Sequence, residues 1–344
     1  MKVLLDVSHP KDINVFNNVI RLLKERGHEV KLVARAKENT RKIIEEHGFK
    51  AEYGPYYTGF AMKIAGIPLI DMWLYGVSKA YKPDIFLSFG SPYSAHVSRL
   101  VKCPHLAFID TEIANFAINL MLPFTDKVYT SSSFSLDLGK KQKRFSSYLE
   151  MAYLGPGYFV PDIDVLAKYG LNEKKYIIVR LSALSSHHDI SAHGFSFNSE
   201  SELKEYINRL QEYGQVIIFS ETKKWDIINK YTLQINPADF HDILFHSRLC
   251  IGEGATMASE AAILGVPSFY VSNTRRGYLD ELEEMYGLCY TLKDKDEALE
   301  KAVLLLQDET LQSKWDLKRK LMLKDKIDIV SFIVNELEEF DKSR

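Results

Sequence analysis

A turn of small residues late in the chain has the composition of an anion-binding site. Gly252 and Gly254 follow a short apolar run, and a helix is predicted to begin near Ala255. The first amides of a helix lack intrahelical partners and, with the helix dipole, favour a bound diphosphate. Thr256 adds a hydroxyl, and Glu260 lies one turn further on, where a carboxylate can reach a ribose diol. The alternative is a glycine turn that only packs a helix on a sheet.

A second group of candidate residues follows another apolar run. Arg180 ends that run, and its guanidinium is suited to bidentate phosphate recognition. His187 is a candidate catalytic residue in the loop that follows, with His188 and Asp189 beside it. Adjacent histidines in an extended segment point to opposite faces, so a metal site is not expected here. We predict no metal site elsewhere in the chain.

Two further candidate catalytic residues lie in the N-terminal half. His9 follows the first apolar run and can act as a base near neutral pH or donate to a sugar or phosphate; an ordinary loop residue is the alternative. Glu112 is a weaker candidate for the base that deprotonates a substrate hydroxyl. Asp110 or Thr111 is expected to cap a helix that begins near Ile113.

Two other segments have functional and structural interpretations. Of Arg275 and Arg276, we select Arg276 as a phosphate contact, although a solvated surface pair is equally compatible with the sequence. Residues 56–75 are rich in aromatic side chains and residues 140–144 are basic. Together they could dock a lipid-linked acceptor or a membrane surface. We prefer the simpler interpretation, a core helix and a solvated loop.

All of these residues are expected to follow the strands of parallel sheets. Short apolar runs alternate with longer amphipathic segments, which indicates parallel sheets covered by helices on both faces. Ligands of such sheets bind beyond the carboxyl ends of the strands. The predicted strands cover residues 3–7, 29–34, 84–89, 105–109, 126–130, 176–181, 215–220, 248–251 and 268–271. The predicted helices include residues 37–47, 199–213, 256–264, 294–306, 308–321 and 325–340.

The composition restricts the class of protein. A chain of 344 residues with 46% hydrophobic and 26% charged residues suits two globular domains and excludes a disordered or fibrous chain. The net charge of -2 argues against a nucleic-acid partner. Three widely spaced cysteines suit reduced thiols in the cytoplasm, and neither a signal peptide nor a membrane span is predicted. Breakers around Gly157 indicate a domain boundary there.

The phrase from Ile251 to Pro267 resembles the nucleotide-binding motif of GT-B glycosyltransferases and of non-hydrolysing UDP-N-acetylglucosamine 2-epimerases. In those families a loop of small residues holds the diphosphate, and a Glu followed by Ala and a Gly-x-Pro binds ribose. The resemblance implies that Gly254, Ala255 and Thr256 hold phosphate and that Glu260 binds ribose.

Other segments extend the resemblance over nearly the whole chain. They are Ser8-His9-Pro10, residues 108–115, 122–128 and 153–162, and Arg180 with the histidine loop after it. The set most resembles the family catalogued as domain of unknown function 354. It implies an α/β protein of GT-B fold, with two Rossmann-like doubly wound domains facing across a cleft. Residues 1–157 would form the acceptor-side domain and 158–324 the nucleotide-sugar domain, with a helix at 325–344 crossing back to the first.

The resemblance implies a metal-independent glycosyltransferase of surface polysaccharide or glycoconjugate synthesis. Its donor would be a nucleotide sugar, with UDP favoured, and no other cofactor is expected. A UDP-sugar 2-epimerase is the first alternative, although residues 89–92 lack the Asp of the epimerase motif. A non-catalytic nucleotide-sugar binding protein is the second. We expect a cytoplasmic protein with at most peripheral contact to the inner face of the membrane. The acceptor and the oligomeric state are not specified by the sequence, and a lipid-linked acceptor stays open.

Overall fold

The computed structural model describes residues 1–36, 38–181, 194–221 and 225–342. The chain divides into two compact units. The first unit comprises residues 1–153 and 327–344, and the second comprises residues 154–326. Each unit is an α/β assembly built on a parallel sheet, which confirms the predicted fold class.

Short strands alternate with helices along both units. The described strands are β1 (Lys2–Val7), β2 (Glu29–Arg35), β3 (Ala51–Gly54), β4 (Ile85–Phe89), β5 (His105–Ile109), β6 (Lys127–Ser131), β7 (Gln142–Phe145), β8 (Tyr176–Leu181), β9 (Gln215–Ser220), β10 (Leu249–Gly252), β11 (Ser268–Val271) and β12 (Cys289–Leu292). The described helices are α1 (Pro10–Glu25), α2 (Glu38–Glu46), α3 (Phe60–Ala65), α4 (Ile67–Tyr81), α5 (Pro92–Val101), α6 (Asn115–Met121), α7 (Met151–Leu154), α8 (Val165–Lys168), α9 (Glu200–Gln211), α10 (Asp226–Tyr231), α11 (Phe240–Phe245), α12 (Ala255–Leu264), α13 (Gly277–Glu284), α14 (Lys295–Leu306), α15 (Leu311–Asp325) and α16 (Ile329–Lys342). Two short 3-10 helices cover Gly139–Lys141 and Pro237–Asp239.

The strand order and the burial of each strand explain which strands were predicted from the sequence. The order in the first unit is β3-β2-β1-β4-β5-β6-β7, and that in the second is β12-β11-β10-β8-β9. All nine predicted strands are present. The three strands that we did not predict, β3, β7 and β12, have four residues each and lie at sheet edges. These three strands are only partly buried and lack the continuous apolar run that marks the central strands and the edge strand β9.

The central strands form the core of each sheet. In β1, Leu5 pairs with Leu32 on one side and with Leu87 on the other, and all three are buried. In β8, Ile177 and Val179 are fully buried in the core of the second unit. Since both faces of these strands are covered, nearly every position is apolar. Within the described part of the chain, no helix is long and apolar enough to cross a membrane.

The last helix, α16, packs against α1 within the first unit. Its apolar residues recur at helical spacing, and Val330, Ile333, Val334 and Leu337 are all buried. The polar flank is also engaged, because Glu338 pairs with Arg26 at 3.1 Å and with His28 at 2.9 Å. Each buried aliphatic side chain contributes about 1.5–3 kcal/mol, so α16 is an integral part of the first unit.

The basic segment before α7 is structural, and our expectation of a solvated loop was wrong there. It forms the edge strand β7. Lys141 donates to two backbone carbonyls after α6, and Arg144 donates to three backbone carbonyls after β6. Lys143 pairs with Glu336 of α16. Three of the four cations therefore have partners within the first unit, although Lys143 and Arg144, like Lys140, are exposed.

Helix α1 begins with a reciprocal cap. The Nδ1 atom of His9 accepts a hydrogen bond from the backbone N–H of Lys11 at 3.2 Å. The Asp12 carboxylate accepts from the N–H groups of Ser8 and His9 at 2.7 and 2.8 Å. Burial raises the pKa of Asp12 to about 7, although these backbone bonds lower it. The start of α1 is thus held by a carboxyl group that titrates near neutrality.

Replacing Leu337 by Ala should lower the free energy of unfolding by about 2–5 kcal/mol, because it opens a cavity between α16 and α1. Urea unfolding followed by circular dichroism measures the loss. The exposed Glu339 lies on the same helix, and Glu339→Ala should stay within about 0.5 kcal/mol of the parent. Equal stabilities of the two variants would contradict the packing described here.

The Asp12 carboxyl should make folding less favourable as the pH rises. Between its ordinary pKa of 3.8 and about 7, the folded state holds a proton at Asp12 that the unfolded state has lost. The contribution of Asp12 to stability therefore falls with increasing pH across that window. Asp12→Asn should flatten the pH dependence of the unfolding free energy there. Glu45→Gln, at an exposed position of α2, is the control. A wild-type slope in Asp12→Asn would contradict this assignment.

Candidate functional site

In the second unit, the candidate site begins where two neighbouring strands come unusually close. Gly252 ends β10 and lies opposite Arg180 of β8 in the parallel register. Its φ is +152°, and a Cβ atom there would lie 2.1 Å from the carbonyl oxygen of Arg180. Only glycine fits such a position. The glycine of the predicted turn is therefore required by the sheet itself.

Helix α12 starts beside the Arg180 side chain. Gly254 is the N-cap residue and offers no side-chain acceptor to the amides of the first turn. A Cβ atom on Gly254 would lie 3.1 Å from Cγ and 3.7 Å from Nε of Arg180. The guanidinium and the uncapped helix start thus lie next to each other. Both favour an anion, and phosphate binding by Gly254, Ala255 and Thr256 stays a prediction.

Arg180 already has a carboxylate partner. Its guanidinium forms an ion pair with Glu221, which follows the neighbouring strand β9. The side chain of Arg180 is 20% exposed and that of Glu221 is 54% exposed. An ion pair so open to solvent contributes little to stability. An incoming phosphate can therefore replace Glu221 at small cost.

Glu260 is buried and is held by a histidine that the sequence did not reveal. Its Oε1 atom lies 3.2 Å from Nε2 of His241 on α11. The His241 ring packs edgewise against Phe159 and Phe240. His241 lies in a short apolar helix and belongs to no motif. Its position in the sequence therefore did not identify it as a site residue. The pair fixes the orientation of the carboxylate predicted to bind ribose.

The two arginines after β11 have different environments. Arg275 pairs with Asp280 and Glu284 at the surface, which matches the solvated alternative. Arg276 is only 6% exposed, and its Nη1 atom donates to the carbonyl of Arg275. Within the described ranges no carboxylate pairs with Arg276. It therefore stays the candidate phosphate contact of this loop.

The sheet edge of the first unit carries a second group of polar residues. The Nζ atom of Lys11 lies 2.5 Å from the Asp110 carboxylate and 3.0 Å from that of Glu150. Our expectation that Asp110 or Thr111 caps the following helix was wrong. That helix, α6, begins later and has Ala114 as its N-cap, without a side-chain cap. Asp110 instead joins β5 to α1 through Lys11, a long-range contact that local sequence does not encode.

His9 and Glu112 are both placed near that edge. His9 is exposed, and because Nδ1 accepts from an amide, its neutral ring carries the proton on Nε2. In this state the Nε2 atom of His9 is a hydrogen-bond donor. Glu112 is largely buried, and its Oε1 atom accepts from the N–H of Ser135 at 3.3 Å. Their proposed catalytic roles stay predictions.

A buried network around Asp6 was also absent from the sequence-based prediction. Asp6 is fully buried, and its Oδ2 atom lies 2.9 Å from Nη2 of Arg35. The hydroxyls of Ser91 and Ser94 donate to the same oxygen at 2.6 and 2.8 Å. Ser91 stands where the epimerase motif has its Asp. The carboxylate near the start of α5 therefore comes from β1.

The structure does not describe the histidine loop. His187, His188 and Asp189 lie outside the described residues, so the catalytic role of His187 stays a prediction. Among the residues that are described, no group of three or more His, Cys, Asp and Glu side chains could hold a metal ion.

Known proteins share this architecture. The chain is similar to the uncharacterized protein MJ0665 of Methanocaldococcus jannaschii, with 24% identity over 295 residues, 78% of this chain and 81% of that protein. It is similar to the UDP-GlcNAc 2-epimerase from Neisseria meningitidis bound to UDP-GlcNAc, with 13% identity, 98% and 99% coverage and a TM-score of 0.68. It is also similar to the spinosyn forosaminyltransferase SpnP, with 14% identity, 99% coverage of both chains and a TM-score of 0.65.

These similarities confirm the predicted GT-B fold with two Rossmann-like domains. The family model described as protein of unknown function (DUF354) matches residues 1–339. Since the match spans nearly the whole sequence, this chain belongs to the DUF354 family.

Proposed function

We propose that the chain is a glycosyltransferase that uses a nucleotide sugar, with UDP as the favoured nucleotide. One observation supports this most strongly. At the sheet edge of the second unit, the uncapped start of α12 lies beside Arg180, and the buried Glu260 follows one turn later. Cationic groups and a carboxylate in this order suit the diphosphate and the ribose of one nucleotide.

The donor diphosphate would bind the first-turn amides of α12. Arg180 would release Glu221 and pair with a phosphate oxygen, and Arg276 would add a second cation. Negative charge develops on the departing nucleoside diphosphate, and these preorganised groups would stabilise it in the transition state. Glu260, oriented by His241, would accept hydrogen bonds from the ribose hydroxyls.

The acceptor side would use the first unit. A hydroxyl acceptor must lose its proton as the new glycosidic bond forms, and Glu112 is our candidate base. His9 can donate from Nε2 to a sugar or phosphate oxygen. His187 stays a further catalytic candidate. No group beyond the donor itself is proposed as a cofactor.

The similar proteins support this class of substrate. One of them is an epimerase bound to UDP-GlcNAc, and another is a sugar transferase. We place the reaction in the synthesis of a surface polysaccharide or glycoconjugate in the cytoplasm. Cys103, Cys250 and Cys289 are all free thiols, as expected in that reducing compartment.

UDP at about 100 times its Kd should stabilise the protein by roughly 2.7 kcal/mol, which a thermal-shift assay detects. Glu260→Gln and Arg180→Met should each weaken UDP binding by about tenfold or more, because each removes a charge-assisted hydrogen bond of about 1.5–3 kcal/mol. Isothermal titration measures both. Glu297→Gln and Arg209→Met, at exposed positions of the same unit, are the matched controls.

Two results would count against the donor site. One is the failure of UDP, GDP, dTDP and CMP compounds alike to raise the melting temperature. The other is unchanged UDP affinity in both Glu260→Gln and Arg180→Met.

A 2-epimerase is the second candidate function, since epimerases are as similar in fold as transferases. The buried carboxylates of Asp110 and Glu150 around Lys11 also offer acid–base groups. Against it, Ser91 replaces the Asp of the epimerase motif, and Asp6 is fully buried and paired with Arg35 through Oδ2.

The two enzymes differ in what they make from UDP-N-acetylglucosamine alone. A transferase should give only slow release of UDP by hydrolysis, with no change at C2 of the sugar. Proton NMR of the sugar distinguishes these products, and heat-inactivated protein is the control. Accumulation of the C2 epimer would contradict the transferase proposal. Tight binding without any turnover across a panel of acceptors would instead indicate a binding protein.

A further inference from the structure

A cleft in the first unit has features of a ligand site that the donor site does not use. It has a volume of about 300 Å³ and lies where β1 and β2 end. Its lining includes Arg35, Lys63 and His9 together with Tyr57 and Tyr93. Cationic groups and aromatic walls thus meet in one depression.

Arg35 is a buried cation whose hydrogen-bonding capacity is only partly used. Its side chain is 6% exposed, and Nη2 pairs with Asp6 at 2.9 Å. Nε and Nη1 are buried and have no hydrogen-bond partner among the described residues. The guanidinium face stacks over Tyr93, with 4.7 Å between Cζ and the ring centroid. Buried N–H groups without acceptors are costly, so they indicate a missing acceptor.

Two further groups make the cleft favourable for an anion. Lys63 of α3 is exposed, and no described carboxylate pairs with it. His9 lines the same cleft, and its Nδ1 atom accepts from the backbone N–H of Lys11 at the start of α1. Two buried carboxylates lie beside the lining residues: Asp6 pairs with Arg35 and accepts from Ser91 and Ser94, and Asp12 accepts from the backbone N–H groups of Ser8 and His9 and has a pKa raised to about 7. The charge that remains available is therefore positive.

The aromatic walls are held by close packing on two glycines. A Cβ atom on Gly66 would lie 2.2 Å from the Tyr57 ring, and one on Gly54 would lie 2.4 Å from the Trp73 ring. Trp73 in turn lies over Arg35, 5.7 Å from Cζ. The rings can occupy these positions only because both residues are glycines, so the cleft is preformed.

Exposed apolar side chains lie on the helices that flank the cleft. Met62 and Ile64 are the neighbours of Lys63 and are 56% and 41% exposed, and Met72 of α4 is 69% exposed. An apolar chain attached to the anion would find contacts there. A free anion would use only the cationic groups.

We propose that this cleft binds the phosphate or diphosphate group of a ligand. Arg35, Lys63 and His9 would hold the anion between the tyrosine walls. If the proposed function is correct, that ligand is the acceptor, and the transferase acts on a phosphate-bearing acceptor. The assignment to the acceptor rests on the proposed function, whereas the anion site itself does not.

Isothermal titration with inorganic pyrophosphate and with geranyl diphosphate tests the proposal on the full chain. Lys63→Met should weaken binding of the diphosphate probe by about tenfold, because an exposed cation is lost without disturbing the fold. His9→Asn should weaken it too. Lys79→Met, which removes an exposed lysine from α4, should bind as the parent does. Because the donor site is itself proposed to bind a diphosphate, the titrations are repeated in the Arg180→Met background, where the loss of binding caused by Lys63→Met should persist.

The two probes distinguish the source of the phosphate. Tighter binding of geranyl diphosphate than of pyrophosphate supports an amphiphilic ligand, and equal binding supports a small phosphorylated one. No binding of either probe, or binding that Lys63→Met and His9→Asn leave unchanged, would overturn the proposal. If the donor-site proposal is wrong and the cleft proposal is right, the protein will not bind UDP. It will still bind a diphosphate probe, and that binding will depend on Lys63.

Discussion

The close approach of β10 to β8 at Gly252 is the constraint on which the candidate nucleotide site depends. With a Cβ position only 2.1 Å from the Arg180 carbonyl, the two strand ends are locked side by side. The residues that directly follow β8 and β10 therefore lie at the same edge of the sheet. The Arg180 guanidinium, the start of α12 and, one turn later, Glu260 become neighbours although 80 residues separate the first from the last.

Both units are built on parallel sheets, with different strand orders, and they differ in how a helix that follows a central strand begins. In the first unit, α1 is closed by His9 and Asp12, which take up amides of its start. In the second unit, α12 starts at a glycine and leaves its first-turn amides without a side-chain cap. A helix whose first-turn amides lack a side-chain acceptor favours the binding of a ligand anion. A helix whose first amides already donate to side chains does not need an anion there. In the first unit, the proposed anion site uses the side chains of Arg35 and Lys63 instead.

Local sequence predicted the parts of the site that are local in structure. The glycine turn, the helix beginning at Ala255 and the position of Glu260 follow from one continuous phrase, and the structure has them there. The contacts that complete the sites join distant segments. His241 and Glu260 are 19 residues apart, and Lys11 and Glu150 are 139 apart. No periodicity or spacing encodes such pairs.

Two expectations failed for the same physical reason. Asp110 was expected to cap the next helix but binds Lys11, and the basic segment before α7 was expected to be solvated but binds backbone carbonyls and Glu336. In both cases a charged side chain found a tertiary partner that its neighbours in sequence do not reveal. Edge strand β7 has no continuous apolar run because it is only partly buried.

We propose that the start of α12 binds the diphosphate of a nucleotide. Hydrogen–deuterium exchange with and without UDP measures this at the amides themselves. We expect UDP to slow exchange in the segment from Glu253 to Glu260, because phosphate oxygens would accept from the backbone N–H groups of Ala255, Thr256 and Met257. UDP binding that leaves exchange in this segment unchanged would contradict a diphosphate site at α12.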